Sequence, residues 1–298
     1  MKIGFYGLGR MGSNMVARLL EKGQEVVVMN RSPQPVEAAV KLGAEAAKDY
    51  QELISKLDPV IIWLMLPAGL VEEKFNELLP LLPQGAIVVD GGNSDFRFSR
   101  RRADKAQEKG VHFIDVGTSG GILGRTAGYS LMIGGDKSAV DQLKPVFDAL
   151  SRPEGWRHFS AGGSGHFVKM VHNAIEYGMM ESYAEGYRML KEGPFKDIDL
   201  ATAAGVWQQG SIIESKLNEL TLQALNENPE LEGIDGVVAE SGETRWTLET
   251  AKDLGIPLPA VQAAFDVRLA SQKGDISFAT KLLAAMRNKF GGHDINPH

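Results

Sequence analysis

A chain of 298 residues can bury one large core or two medium ones, and 43% hydrophobic with 23% charged residues is ordinary for a globular protein. The net charge of −6 excludes the basic footprint of a general nucleic-acid binder, and the absence of cysteine excludes disulfides, thiol nucleophiles and cysteine-held metals. Residues 1–2 lead straight into a strand pattern without a signal-peptide profile. The apolar run at 60–71 is broken by Pro67 and Gly69, far short of the ~20 residues that span a bilayer. A soluble, cytoplasmic protein without nucleic-acid or membrane partners is expected.

In chain order, β-rich runs at 2–6, 25–30, 60–64, 86–90 and 112–116 alternate with helical patterns at 11–22, 33–42, 70–79 and 94–109. A further strand at 129–133 precedes a helix over 138–150. Such alternation predicts a doubly wound, mostly parallel sheet. Residues 151–165 hold Pro153 and four glycines and read as a boundary near 160. Helical patterns then fill 166–192, 200–225, 242–254, 258–273 and 277–289. The expected α/β architecture is therefore a Rossmann-type domain over 1–160, followed by an all-helical domain over 161–298 for substrate and oligomerisation.

Gly7-Leu8-Gly9-Arg10-Met11-Gly12 is a G-x-G-x-x-G between the first strand and the first helix. Gly7 permits the tight turn, Gly9 lets the backbone approach a pyrophosphate, and Gly12 lets helix and strand pack closely. The helix start offers unpaired N–H groups to the phosphates. The second strand ends on Asn30-Arg31-Ser32, where an NAD site is expected to carry a carboxylate against the ribose 2′-hydroxyl. Arg31 and Ser32 instead suit a 2′-phosphate, which favours NADP over NAD.

The second cluster lies on a helix. At about 100° per residue, Lys169, His172, Asn173 and Glu176 share one face with Tyr177 at its edge, while Phe167, Met170, Val171, Ala174 and Ile175 occupy the other. An ordered stripe of amine, acid and hydrogen-bonding groups is unlike a solvated face with scattered Glu and Lys, and it reads as a reactive site. Asn93, after the strand at 86–90, falls at the carboxyl edge of the sheet, where open α/β sheets bind ligands. Residues 116–121, ending in Ser119-Gly120-Gly121, are expected to form a loop whose N–H groups receive an anion. No metal-ligand spacing is present.

These motifs resemble the decarboxylating 6-phosphogluconate dehydrogenases within the β-hydroxyacid dehydrogenase superfamily. The resemblance rests on the glycine fingerprint, Gly91-Gly92-Asn93-Ser94, Ser119-Gly120-Gly121, and Lys-x-x-His-Asn-x-x-Glu-Tyr at 169–177. Trp246-Thr247, Arg268 and the run from Arg287 to His293 keep the family spacing. The length matches the short-chain branch. The resemblance implies oxidation and decarboxylation of 6-phosphogluconate to ribulose 5-phosphate with NAD(P), in the pentose phosphate pathway and gluconate utilisation.

By the same resemblance, Lys169 is the general base and Glu176 the acid that protonates C1. Asn93, Ser119, Gly120, Gly121, His172 and Asn173 hold the carboxylate and hydroxyls. Tyr177, Arg268, Arg287 and His293 hold the 6-phosphate. Leu66, Pro67 and Asn93 join the glycine loop at the cofactor, and a homodimer or homotetramer is implied. Three departures stand out: Ser241 replaces a phosphate-binding lysine, leaving Arg245 or the retained arginines to compensate; Pro67 replaces a lysine of many NADP-using members; and Ile122-Leu123 stand where long members carry acids. The alternatives are a 3-hydroxyacid dehydrogenase acting on a non-phosphorylated substrate and a non-catalytic dinucleotide sensor. Arg100-Arg101-Arg102 is expected on a solvated helix face.

Overall fold

The computed structural model describes residues 1–296, and its elements form two compact units, Met1–Met170 and Val171 onward. The first unit is built on one sheet of eight strands. These are β1 (Lys2–Tyr6), β2 (Glu25–Met29), β3 (Glu45–Ala46), β4 (Ile61–Leu64), β5 (Ile87–Asp90), β6 (His112–Ser119), β7 (Tyr129–Gly135) and β8 (Ser151–Ser160). Their order is β3-β2-β1-β4-β5-β6-β7-β8, and every pair is parallel except β6 with β7. Strand order reverses between β1 and β4, which places the topological switch point at the carboxyl ends of those strands.

Helices α1 (Arg10–Glu21), α2 (Pro33–Lys41), α3 (Tyr50–Ser55), α4 (Ala68–Leu78) and α5 (Phe96–Gln107) connect the parallel strands. The shorter α6 (Gly124–Ala127), α7 (Lys137–Gln142) and α8 (Lys144–Leu150) flank β7 and β8. The inner strands are continuously apolar because both faces of the sheet are covered. Alternate residues Ile3, Phe5, Val26, Val28, Trp63 and Val89 enter one core cluster, while Val27, Ile62, Leu64 and Val88 enter the other. Each such side chain contributes on the order of 1.5–3 kcal/mol by leaving water. Trp63 stacks on Phe5 with ring centroids 6.1 Å apart and meets Phe147 edge-on.

Three features of this unit differ from the sequence reading. β3 and α3 are too short, at two and six residues, to carry a periodic pattern. The stretch 151–160, read as a linker, is the edge strand β8. Its exposed Arg152, Pro153 and Glu154 hide the pattern, and Pro is tolerated there because an edge strand leaves N–H groups unpaired. Finally, β6 runs on to Ser119, because antiparallel β7 pairs Val116 with Ile133 through to Ser119 with Ser130. Residues 117–119 are therefore strand rather than anion loop, and only Gly120 (φ 122°) and Gly121 (φ 50°) turn away.

Helix α9 (Ser164–Glu192) begins in the first unit and continues into the second. The second unit adds α10 (Leu200–Trp207), α11 (Lys216–Glu227), α12 (Glu243–Asp253), α13 (Pro259–Ser271) and α14 (Phe278–Gly291). The pattern at 200–225 is thus two helices, separated at Gly210, whose φ of 82° ends the first turn sequence. Ser215 then caps α11 by accepting from the Asn218 N–H. Met180, Tyr187, Leu225 and Leu282 form the core. Its buried polar group is satisfied: Asn218 accepts from the Tyr187 hydroxyl at 2.7 Å and donates to the Ala204 carbonyl at 3.0 Å. No described helix is long and apolar enough to cross a membrane.

Candidate functional site

The glycine loop is shaped by contact on two sides and openness on the third. A Cβ at Gly7 would collide with the Met65 carbonyl and one at Gly12 with the Gly7 carbonyl, whereas one at Gly9 would meet nothing within 4 Å. Gly9 is also the N-cap of α1, and no side chain caps that helix. The loop backbone is thus open at Gly9 and no side chain covers the start of the helix, as the approach of a dinucleotide pyrophosphate requires, so the residues present fit that group. Exposed Arg10 and half-buried Met11 follow directly in the helix. Asn30 ties the loop to β2: its Oδ1 accepts from the Leu8 N–H at 2.9 Å and its Nδ2 donates to the Ser32 carbonyl at 3.1 Å. Arg31 and Ser32 are exposed beside it. Leu66 and Pro67 lead from β4 into α4, and the Leu66 carbonyl would stand 2.6 Å from a Cβ on Gly92. The structure therefore brings the glycine loop, residues 65–67 and the Gly91-Gly92-Asn93 turn together at one sheet edge.

Behind that turn lies a buried charged network. Fully buried Asp90 accepts from the Ser94 hydroxyl at 2.8 Å, the Gly92 N–H at 3.2 Å and Arg102 at 3.1 Å. Burial raises the Asp90 carboxyl above its ordinary range, against the opposing charges of His166 and Arg102. Arg102, expected on a solvated face, is thus buried and also donates to Glu72 at 2.8 Å. Asn93 Oδ1 accepts from the Thr118 N–H at 3.4 Å.

The start of α9 is held by β6. Asp115 accepts from the Gly163 N–H at 2.7 Å and the His166 N–H at 2.8 Å, so a carboxylate from the sheet stabilises the positive end of the helix. His166 shares a 2.7 Å hydrogen bond between Nδ1 and the Ser99 hydroxyl. One turn on, Lys169 is only 4% exposed, and its stem passes over Gly117, where any Cβ would collide with the lysine Cβ. Asp90, Asp115 and His166 were not among the sequence candidates, and Gly117 was read only as part of the 116–121 loop. The signal for the two aspartates was an acid inside each of two apolar strand runs, at directly paired positions of β5 and β6.

In the second unit, His172 Nδ1 lies 2.9 Å from Asn173 Oδ1 and 3.8 Å from Glu176 Oε2. Asn173 Nδ2 donates to Glu243 Oε1 at 3.0 Å. Tyr177 is buried, with the Arg268 guanidinium 3.3 Å above its ring centroid. Burial pushes Arg268 down to about 10, with Arg287 adding to the effect and Tyr177, Glu176 and Glu181 opposing it. Arg287 is lowered by burial as well, opposed by Tyr177, Glu176 and Glu243. The structure thus brings Tyr177, Arg268 and Arg287 together. His293 stands apart from them in character: it is exposed beyond α14, edge-on to Phe290. Arg245, proposed as a stand-in for the lysine missing at Ser241, is instead exposed and ion-paired to Glu240.

Two of the four buried arginines, Arg268 and Arg287, differ from the other two. Buried Arg18 donates to the carbonyls of Ala149, Leu150 and Ser151, and Arg102 to two carboxylates. Among the described residues, the Arg268 side chain hydrogen-bonds only to the Met180 sulfur, at 3.6 Å, beside its contact with the Tyr177 ring, and the Arg287 side chain forms no hydrogen bond or ion pair.

A dinucleotide-binding sheet unit with a helical unit, sharing a helix that carries Lys169 and Glu176, defines a nicotinamide-dependent oxidoreductase. Residues 2–163 match the family model for the NAD binding domain of 6-phosphogluconate dehydrogenase, and residues 165–294 match that for its C-terminal domain. The chain belongs to the 6-phosphogluconate dehydrogenase family. It is 41% identical over 299 residues to the NAD(+)-dependent, decarboxylating 6-phosphogluconate dehydrogenase of Haloferax volcanii, covering 99% of this chain and 98% of that one. The 6-phosphogluconate dehydrogenase of Plasmodium falciparum, solved in apo form and with NADP+ and 6-phosphogluconate, superposes with a TM-score of 0.84 at 31% identity. That match covers 100% of this chain and 67% of the longer parasite chain, as fits a short-chain member. A 3-hydroxyisobutyrate dehydrogenase of Salmonella typhimurium shares the fold, with a TM-score of 0.77 at 20% identity, covering 95% of this chain and 99% of that one.

Proposed function

We propose that the chain oxidises and decarboxylates 6-phosphogluconate to ribulose 5-phosphate and carbon dioxide, serving the pentose phosphate pathway and gluconate utilisation. The observation that carries this reading is the buried pair Arg268 and Arg287 at Tyr177, two guanidiniums without oxygen acceptors among the described residues. A phosphate dianion would satisfy them, and a non-phosphorylated 3-hydroxy acid would leave both charges desolvated and unpaired.

Bound nicotinamide would supply the hydride acceptor for C3. Neutral Lys169 would take the C3 hydroxyl proton as the C3 hydrogen leaves with its electron pair, giving a β-keto acid. Its burial favours the neutral amine, because desolvation penalises an ammonium. The resulting ammonium would polarise the new carbonyl, which accepts the electron pair released when C1 leaves as carbon dioxide. Glu176 would then deliver a proton to C1 of the enediol. Asn93, Ser119, Gly120, Gly121, His172 and Asn173 would orient the carboxylate and hydroxyls, and His293 would close over the phosphate from the same or a partner chain in a homodimer or homotetramer.

Residues 1–160 would bind the dinucleotide through Gly7, Leu8, Gly9, Arg10, Met11 and Gly12, with Leu66, Pro67 and Asn93 alongside. Residues 161–298 would bind the sugar acid. Exposed Arg31 and Ser32 support NADP, while the Haloferax relative is named as NAD(+)-dependent. The deciding experiment is steady-state assay by nicotinamide absorbance, with 6-phosphogluconate, gluconate and 3-hydroxyisobutyrate each run against NAD and NADP. Turnover of 6-phosphogluconate with release of carbon dioxide is expected. Preference for either non-phosphorylated acid would overturn the reading.

A further inference from the structure

Helices α9, α13 and α14 line a cavity of about 720 Å³ within the helical unit, and its wall is strongly one-signed. Glu181, Glu185 and Glu192 from α9, Asp266 from α13 and Asp275 before α14 face it against a single cation, Arg188. Arg188 is already engaged by Glu192 at 2.9 Å, whereas the side chains of Glu185 and Asp275 form no hydrogen bond or ion pair among the described residues. Glu181 is the deepest of the five at 7% exposed, and its Oε2 is buried without a hydrogen-bond partner. A buried carboxylate is normally paired, because desolvating a lone one is costly. We infer that this cavity binds a linear aliphatic polyamine, whose ammonium groups pair with Glu181 and the outer acids.

The chemistry of the wall selects among possible occupants. A hard divalent cation gathers several oxygens around one point, and no group of three or more acidic or histidine side chains among the described residues could hold one. An anion is opposed by the acids. The start of α14 offers it little, since Ser277 accepts from the Thr280 N–H and Thr280 accepts from the Ser277 N–H within the cap. Acids spread over separate elements suit a ligand whose charges are also spread, and the volume is that of an ordinary small-molecule site. Met189, Val267 and Ala279 add apolar wall for the methylenes that separate those charges. Burial pushes the Glu181 carboxyl up to about 7, with Glu185 adding to the effect and Arg268 of α13 opposing it. Arg188, Glu192, Asp266 and Asp275 are the other charged groups of the cavity. An ammonium beside Glu181 favours its ionised form, so binding at neutral pH expels a proton and tightens as pH rises through 7.

The test is isothermal titration calorimetry of the full chain, free of dinucleotide and substrate, with spermidine as the probe. Butylamine and magnesium chloride, each with its charge at one centre, are the controls at matched ionic strength. Spermidine is expected to fill one saturable site, about tenfold or more tighter than either control. Binding should be about tenfold tighter at pH 8 than at pH 6, with about half a proton released at pH 7, read from the dependence of the enthalpy on buffer ionisation. Glu181→Gln keeps the shape of the side chain and removes its charge. It should weaken spermidine about tenfold at pH 8, abolish the proton release and flatten the pH dependence, with an unfolding transition that shows it folded. Glu185→Gln removes an exposed acid and should weaken binding about threefold while keeping the proton release.

Absence of saturable binding, or equal binding of butylamine or magnesium, would overturn the inference and leave only the diffuse attraction of an acidic surface. Proton release that persists in E181Q would overturn it too, since the ligand would then sit elsewhere. Sedimentation at rising protein concentration supplies the last arm. Spermidine affinity that falls as the chain self-associates would assign the cavity to a second copy and refute the polyamine site, whereas an affinity independent of protein concentration supports it. None of these outcomes depends on which sugar acid or dinucleotide the chain turns over.

Discussion

Replacing Arg268 by methionine should make the protein more stable and the enzyme worse. The guanidinium is held at about 10 against an ordinary 12.5, chiefly by burial. That difference of about 2.5 pH units, at 1.36 kcal/mol each, means the charged group costs the folded state about 3 kcal/mol. Below pH 10 both folded and unfolded chains keep the proton, so this penalty is constant across the working range. Methionine removes it, fills a similar volume, and forfeits a desolvated cation–π contact with Tyr177 of about 2 kcal/mol. The net gain is about 1 kcal/mol, or a rise in Tm of roughly 2 °C for a chain this long. A charge-assisted hydrogen bond to phosphate, at about 1.5–3 kcal/mol, should raise KM for 6-phosphogluconate by about 10- to 100-fold. Differential scanning calorimetry in phosphate-free buffer and steady-state kinetics read the two effects. A lower Tm together with an unchanged KM would refute the reasoning and make Arg268 a structural cation of the kind Arg18 is.

Gly117→Ala should lower Tm and reduce kcat by about 100-fold, since its Cβ would strike the Lys169 stem and small displacements of a reacting group are expensive; a wild-type kcat would show that the lysine is not held there. Lys169→Ala should lower kcat by several orders of magnitude while fluorescence titration shows the dinucleotide Kd unchanged. Arg31→Ala should raise KM for NADP about tenfold and leave KM for NAD alone, as parallel saturation curves would reveal. Burial pushes the Glu181 carboxyl up to about 7 from 4.5, with Glu185 adding and Arg268 opposing, so the folded chain holds a proton that the unfolded chain releases between those values. Stability should therefore fall as pH rises from about 5 to 7, and urea unfolding of Glu181→Gln should show that slope flattened and the variant more stable than wild type above pH 7.

The parallel sheet was legible because its inner strands are buried on both faces and read as apolar blocks between glycine-bounded turns. β8 was not, because an edge strand with Arg152, Pro153 and Glu154 outward has the composition of a loop. The glycine loop was legible residue by residue, since steric necessity at Gly7 and Gly12 leaves few other choices. Tyr177, Arg268 and Arg287 were visible only through the family spacing, because a lone arginine in a helix has no pattern to mark it as buried. Ser119 lay in the expected region but on a strand, since nothing local announces that β7 returns antiparallel and extends the pairing. Glu243 and Asp115 were missed because each acts on a residue far along the chain.

Strand β6 explains how the first unit holds the buried Lys169 side chain without help from loops. Side chains at 115 and 117 point to the same face of a strand with a two-residue period. On that face Asp115 grips the first N–H groups of α9, and Gly117 leaves the room through which the Lys169 stem passes. Closeness is enforced at the backbone too, for a Cβ on Gly165 would lie 2.6 Å from the Asp115 carbonyl and 2.7 Å from the Gly134 N–H. The next residue of the strand, Thr118, donates its N–H to Asn93. Lys169 and Asn93 are therefore both registered against one rigid element at consecutive positions, and a shift of β6 by a single residue would release the helix cap, block the lysine and free the asparagine together.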